Sequence, residues 1–156
     1  MIVRPAREAD IPAIATVAAA SYASGFAGIL SPEELAVRNA ASFAPLFVAA
    51  LPLLRVAEVD GAIAGFSKVT AGHLDMLFID PAAQRSGVGS VLLAEAEARG
   101  TCTLECFRDN RSARGFYERH GWTLARSYQR EFLGRMRAFV FYEKLPASGS
   151  SGGETD

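Results

Sequence analysis

Residues 73–100 read HLDMLFIDPAAQRSGVGSVLLAEAEARG, and the order of residue types in this stretch decides the fold. Leu74, Met76, Leu77, Phe78 and Ile79 make an apolar strand that Asp80-Pro81 stops. A polar turn leads to Gln84-Arg85-Ser86-Gly87-Val88-Gly89, and Ser90 to Arg99 has a strongly helical composition. Strand, glycine-bearing turn and helix in that order suit an anion. The first helical turn leaves backbone N–H groups unpaired, the dipole adds partial positive charge, and glycines admit a phosphate close to the chain. A P-loop requires Lys-Ser/Thr after its last glycine, where Ser90-Val91 stand instead. A dinucleotide fingerprint beginning at Gly87 requires Gly or Ala where Leu92 stands, and a place near the first strand of its domain. What remains is Gln/Arg-x-x-Gly-x-Gly/Ala, or a glycine-rich turn that merely joins strand to helix.

The whole chain sets bounds on that choice. Its 156 residues are enough for one domain with a real core, and half of them are apolar. A net charge of −1 favours neither nucleic acid nor an anionic membrane surface. No apolar run approaches membrane-spanning length and the first residues lack a signal-peptide h-region, so a cytoplasmic protein is expected. Cys102 and Cys106 stand at i and i+4 of an expected strand, Thr101 to Phe107, on one face with Leu104. A disulfide along one extended strand is geometrically poor. A zinc site has only His73 and His120 to add, so no metal is expected and the thiols read as buried and reduced.

Taken in order, the chain opens with a strand, Ile2-Val3-Arg4, closed by Pro5. Asp10 reads as the N-cap of a helix with Pro12 in its first turn, ending near Ser21 or Tyr22. A mobile-looking segment, Ala23 to Leu30, follows. Ser31-Pro32-Glu33-Glu34 is a capping box opening a second helix. The register after Asn39 is open, and Phe43 to Leu54 reads as a short helix or a lid. Arg55 to Val59 and Ala62 to Thr70 form a hairpin about Asp60-Gly61, and Ala71-Gly72 turns into the His73 strand. Gly100 ends the glycine-loop helix. Asn110 caps a short helix that runs through His120 and stops at Gly121. Trp122 to Phe132 and Met136 to Leu145 close the domain as a hairpin about Leu133-Gly134-Arg135. The expected domain is residues 1–146, with a flexible Gly/Ser-rich tail over residues 147–156.

Two signatures together resemble one family. Gln84 to Gly89, after a strand ending in Asp-Pro, is similar to the acetyl-CoA pyrophosphate loop of the GNAT superfamily of N-acetyltransferases. The second signature there is a strand, an Asn, an aromatic-Tyr pair and a Gly-aromatic step. Here these are Leu104-Glu105-Cys106-Phe107, Asn110, Phe116-Tyr117 and Gly121-Trp122. The resemblance covers roughly Ile2 to Leu145. It implies an α/β (α+β) fold in the order β-α-α-β-β-β-α-β-α-β-β: a mixed, mostly antiparallel sheet of about seven strands flanked by four helices.

It also implies roles. Backbone groups of Leu77, Phe78 and Ile79 would hold the pantetheine arm, and one N–H there would polarise the thioester oxygen. Arg85, Ser86, Gly87, Val88, Gly89 and Ser90, with Gln84 opening the motif, would wrap the pyrophosphate. Asn110 would cap its helix and touch the arm, and Tyr117 would serve as general acid toward the CoA thiolate. Acceptor amines have pKa values of roughly 8–10, so a base or water chain must remove a proton. Candidates are Glu105, where ribosomal-protein N-terminal acetyltransferases of this superfamily place a glutamate, then Asp75, then His73. A salt bridge from Glu105 to an arginine is the competing reading. The Tyr22 to Leu30 segment and the closing hairpin, with Tyr128, Glu131 and Arg135, would wall the acceptor site, an aromatic and acidic lining that suits an ammonium.

The expected function is transfer of an acetyl group from acetyl-CoA directly to a primary amine, small-molecule or peptide, with no metal, nucleic acid or membrane partner. A non-catalytic CoA-binding module and an adaptor scaffold are the alternatives. A homodimer through the closing strands is compatible with the fold, with no residue specifying it.

Overall fold

The computed structural model describes residues 1–145, so the expected tail over residues 147–156 lies outside the described residues. Seven strands, β1 (Ile2–Pro5), β2 (Leu54–Val59), β3 (Ala62–Thr70), β4 (His73–Ile79), β5 (Thr103–Phe107), β6 (Thr123–Phe132) and β7 (Arg135–Glu143), form one sheet. Their order is β1-β2-β3-β4-β5-β7-β6. Only β4 and β5 run parallel, as the expected mixed sheet requires. The helices are α1 (Ile11–Gly25), α2 (Pro32–Ala36), α3 (Ala40–Ala49), α4 (Val88–Ala98) and α5 (Arg111–Arg119). That makes five α-helices among the described residues rather than four, because the segment between β1 and β2 breaks once more than expected. Asn39 accepts from the Ser42 amide and starts α3, and Pro45 is accommodated inside it.

Helices cover both faces. α1 and α3 pack on one face through Ile14, Phe43 and Phe47 against Val56, Phe66 and Phe139. On the other face, Val88 and Leu92 of α4 meet Ala57 and Ala64, while Leu93 of α4 and Tyr117 of α5 meet Leu104 and Tyr142. Adjacent residues Val56 and Ala57 therefore serve opposite layers, as strand alternation dictates. No helix among the described residues is long and apolar enough to cross a membrane.

Several boundaries differ from the sequence reading. α1 continues to Gly25, because its last turns are anchored: the Ser21 hydroxyl donates to the Ile79 carbonyl at 2.7 Å, and Tyr22 meets Phe26 edge-on at 4.6 Å. The segment after Tyr22 is thus docked, with Leu30 only 3% exposed. The Ser31/Glu34 capping box forms as expected. Asp10 takes the expected N-cap position of α1, but its side chain does not bond the helix's first amides. Its carboxylate accepts from the Arg7 amide at 2.8 Å and from the Arg4 guanidinium at 2.8 and 3.1 Å. α4 begins at Val88 rather than Ser90, since Gly87, with φ of +90°, is its N-cap. β5 begins at Thr103, which leaves Cys102 outside the strand. Both thiols are free and half-buried rather than fully buried.

One irregularity shapes the sheet. Lys68 pairs with Met76, but the next residue, Val69, pairs with Leu74, so Asp75 is an extra residue in β4. Such a bulge bends its strand and interrupts the ladder. Lys68 Nζ at 3.2 Å and the Thr70 hydroxyl hold the Asp75 carboxylate from β3. The parallel ladder between β4 and β5 contains only His73↔Thr103 and Leu74↔Leu104, and it stops where the bulge begins. Beyond that point the two strands part.

The Arg4–Asp10 pair ties β1 to the start of α1. The hydrogen bond from Arg4 is the largest influence on Asp10 and holds its carboxyl below the usual carboxylate range, against the opposing effect of burial. A depressed folded-state pKa stabilises above the unfolded value of about 3.9, and the benefit is lost as pH falls through the folded value. Asp10→Asn should therefore cost about 1.5–3 kcal/mol near neutral pH, the scale of hydrogen bonds to charged groups. Denaturant titrations of the two proteins should converge in strong acid, and a gap unchanged with pH would refute this account.

Candidate active site

The parting of β4 and β5 opens a cavity of about 340 Å³ that runs between the two helical layers. Leu77, Cys106, Asn110 and Tyr117 line it on the α4/α5 side. Tyr22, Phe26, Phe107 and Phe132 line it on the α1/α3 side, and Asp75 and Glu105 stand on its two strands. The gap also exposes one edge of β4. The Asp80 amide reaches across to the Ala64 carbonyl of β3, so by alternation the peptide groups of Phe78 turn toward β3 and those of Leu77 and Ile79 turn into the gap. The Ile79 carbonyl is already taken by Ser21. Of the three residues expected to hold an extended ligand by their backbone, Leu77 and Ile79 are suitably turned. Phe78 contributes its ring instead, packed edge-on against Tyr22 and Phe66.

The glycine loop lies at one end of this gap. Asp80 caps a short turn by accepting from the Ala82 amide at 3.0 Å, and the Ser86 hydroxyl donates to the Ala83 carbonyl. Arg85 and Gly87 both have positive φ, +67° and +90°. Among the described residues, no protein group accepts from the backbone N–H of any residue from Arg85 to Ser90. Six consecutive unclaimed donors at the start of an eleven-residue helix are what a pyrophosphate would require. Gly65, below the loop, is fixed by space. A Cβ there would stand 2.8 Å from Ile79 Cδ1 and 3.0 Å from the Phe78 carbonyl oxygen.

The second signature is docked onto the first. A Cβ on Gly89 would already touch Phe116 at 3.4 Å, so the glycine lets α4 lie against α5. His120 Nδ1 lies 2.8 Å from the Phe116 carbonyl, which assigns the proton to Nδ1, and Nε2 then accepts from the Ser90 hydroxyl at 2.9 Å. Ser90 is thus a tie between helices as well as a loop residue, and neither its hydroxyl nor His120 stood out in the sequence in that role. Asn110 caps α5, accepting from the Ala113 amide at 3.2 Å with its side-chain oxygen, and lines the cavity. The Tyr117 ring is buried between Phe116, Trp122 and Tyr142, and burial pushes its phenol well above the ordinary value.

The carboxylates are not free. Glu105 forms a bidentate pair with Arg130, with contacts of 2.6 and 2.9 Å, and accepts from the Tyr128 hydroxyl. Burial pushes Glu105 upward, but hydrogen bonds from Arg130 and Tyr128 outweigh it and leave the carboxyl below its usual range. Burial and the same bond push Tyr128 up to about 12. The salt-bridge reading of Glu105 therefore describes its environment. His73 is engaged with the Thr103 hydroxyl at 2.8 Å and does not line the cavity. The acceptor wall also differs in detail: Glu131 and Arg135 are exposed at the hairpin tip, and Arg130, Phe132 and Phe139 face the cavity in their place. Strand alternation in β6 could have separated Arg130 and Phe132 from Glu131. Arg38, which also lines the cavity, carried no sequence signal.

Comparison with known proteins agrees with this arrangement. Residues 51–124 match the model of the acetyltransferase (GNAT) domain. Blasticidin-S acetyltransferase of Streptomyces morookaense is 36% identical over 75 residues, covering 45% of this chain and 55% of that protein. Peptidyl-lysine N-acetyltransferase YjaB of Escherichia coli strain K12 is 35% identical over 104 residues, covering 66% of this chain and 65% of that protein. The chain thus aligns with between about half and two thirds of the length of these relatives. The solution structure of apo YjaB superimposes with a TM-score of 0.74 at 25% identity, covering 94% of this chain and all of that one. PaiA N-acetyltransferase of Thermoplasma acidophilum, solved with coenzyme A, shares the fold with a TM-score of 0.69 at 20% identity, over 92% of this chain and 98% of that one. The matched region, the shared fold and the two signatures meeting at one split in the sheet identify residues 51–124 as an acetyltransferase (GNAT) domain match within a chain folded like YjaB.

Proposed function

We propose that the protein is an N-acetyltransferase that moves an acetyl group from acetyl-CoA to a primary amine in a single ternary complex. The observation that carries this reading is the cavity through the sheet, with unclaimed backbone donors and Tyr117 on one side and an aromatic chamber on the other. Acetyl-CoA would supply an activated acyl group: an N–C bond forms, the C–S bond breaks, the amine loses a proton and the thiolate gains one.

The chain's part in this is positional and electrostatic. Backbone N–H groups from Arg85 to Ser90 hold the pyrophosphate, with Gln84 leading into the loop, and the open peptide groups of Leu77 with the Ile79 N–H align the arm. The Asn110 side-chain nitrogen is left to donate to the arm, since its oxygen serves the cap. Tyr117 keeps its proton at working pH because burial raises its pKa, so it serves the departing sulfur through a positioned hydrogen bond and concerted transfer rather than through acidity. Glu105, held anionic by Arg130 and Tyr128, is a better anchor for an ammonium than a strong base. Asp75 is likewise occupied by Lys68 and Thr70. We therefore assign proton removal to water passing between Glu105 and Asp75, with neither carboxylate indispensable alone. Free thiols at Cys102 and Cys106 fit a reducing, cytoplasmic setting.

Gly87→Glu places a carboxylate where the pyrophosphate would sit. Calorimetry should find acetyl-CoA binding in the wild type and its loss in the variant, and equal binding by both would overturn the assignment of the loop. Tyr117→Phe should lower kcat about 10²-fold with acetyl-CoA affinity retained. An unchanged kcat would remove Tyr117 from the chemistry. Arg130→Met should move the Glu105 carboxyl pKa upward, because burial then acts without its main opponent. A ¹³C NMR titration of the glutamate carboxyls measures this directly.

A further inference from the structure

The cavity's charges are unequally satisfied. Asp75 has Lys68 at 3.2 Å and Glu105 has Arg130 at 2.6 Å, whereas Arg38 makes no ion pair among the described residues. The nearest acid on its own side, Glu34, is occupied by Arg137 and by the Ser31 amide. Arg38 is half-buried, and its guanidinium carbon lies over the Tyr22 ring at 5.9 Å and the Phe132 ring at 5.8 Å. Those rings come from α1 and β6, and both line the cavity. Tyr22 in turn packs against Phe78 of β4, and Phe132 against Phe107 of β5. Arg38 therefore stands one ring away from each lip of the split and lines the same cavity as Glu105 and Asp75.

Rings over the faces of a guanidinium leave its in-plane N–H edge unsatisfied, and that edge matches a carboxylate through two parallel hydrogen bonds. A half-buried cation without a counter-ion in an apolar surround is costly until an anion arrives. Arg38 and the paired carboxylates line one cavity of about 340 Å³, the small end of the usual range for compact ligands, with Tyr22, Phe26 and Phe132 among its apolar lining. We propose that the acceptor is a small amino acid with an apolar or aromatic side chain, its amine at the split near Glu105 and its carboxylate on Arg38. The acetyl acceptor is thus selected by a negative charge as well as by its amine. This rests on the acetyl-transfer reading for the role of the amine, but the anion subsite itself is testable by binding alone.

The test compares matched ligands. L-Phenylalanine, L-leucine, L-methionine and L-tryptophan are titrated calorimetrically against their carboxamides and decarboxylated amines, with wild type, Arg38→Met and Arg38→Lys. Each titration is done with and without acetyl-CoA, and CoA release is followed in parallel. At least one amino acid should bind wild type tenfold or more tightly than its amide and amine. Arg38→Met should abolish that preference and Arg38→Lys should retain part of it, while acetyl-CoA affinity stays unchanged in both. No preference for the carboxylate anywhere in the panel, or a preference that survives Arg38→Met, overturns the proposal. Carboxylate-selective, Arg38-dependent binding without CoA release would uphold the anion subsite and instead defeat the acetyl-transfer reading.

Discussion

The extra residue at Asp75 is the constraint on which the rest of the site depends. By placing two residues of β4 opposite one of β3, it ends the short parallel ladder with β5 and sends the strands apart. A sheet that remained closed would have satisfied the β4 edge with β5 and left no passage between the helical layers. Instead the edge stays open at Leu77 and at the Ile79 N–H, and the cavity connects Tyr117 on one side with Tyr22 and Phe132 on the other. Lys68 and Thr70 hold the bulge by its own side chain. The same carboxylate is therefore structural and part of the cavity wall.

Around this opening the two glycine-bearing segments behave as one unit. Gly89 allows α4 to touch Phe116, and Ser90 reaches His120, whose other nitrogen is fixed by the Phe116 carbonyl. Trp122 and Lys144 then secure the far end of α4 by donating to Glu97, each at 2.9 Å. The loop's donors and the Tyr117 ring are thus carried by helices bonded to each other, an arrangement that would preorganise both ends of the proposed arm. Two motifs far apart in the chain keep their relation because the helices bearing them are bonded together.

Much of this was legible in the sequence because local chemistry expressed it. The 60–61 and 71–72 turns, the Ser31/Glu34 box, the Asn110 cap and the glycines ending helices each carry a mechanism within a few residues. The misassignments fell where a distant partner overrode the local signal. Asp10 looks like a cap until Arg4 and the Arg7 amide claim it. Residues 23–30 look loose until Phe26 and Leu30 find the aromatic cluster. In the site, the loop and Asn110–Tyr117 could be read as motifs. Arg38 could not, because an arginine between two short helices has no distinguishing pattern. Glu105 was visible, but its partners lie twenty-three and twenty-five residues onward and only the β5–β7–β6 pairing brings them to it.

The brevity of the β4–β5 ladder has a consequence for how the molecule comes apart. Backbone hydrogen bonding knits β1 to β4 into one ribbon and β5, β7 and β6 into another, and two residue pairs join them. Side-chain packing in both helical layers carries the remaining cohesion across the seam: the α1/α3 core reaches Phe107 and Phe139, and the α4/α5 core joins Leu93 to Leu104 and Tyr142. Cooperativity is weakest along such a line, and sub-global opening follows weak lines. The sheet is thus divided into an N-terminal and a C-terminal ribbon whose boundary is the cavity, so a molecule bridging the two walls would act as a staple and raise the free energy of their separation.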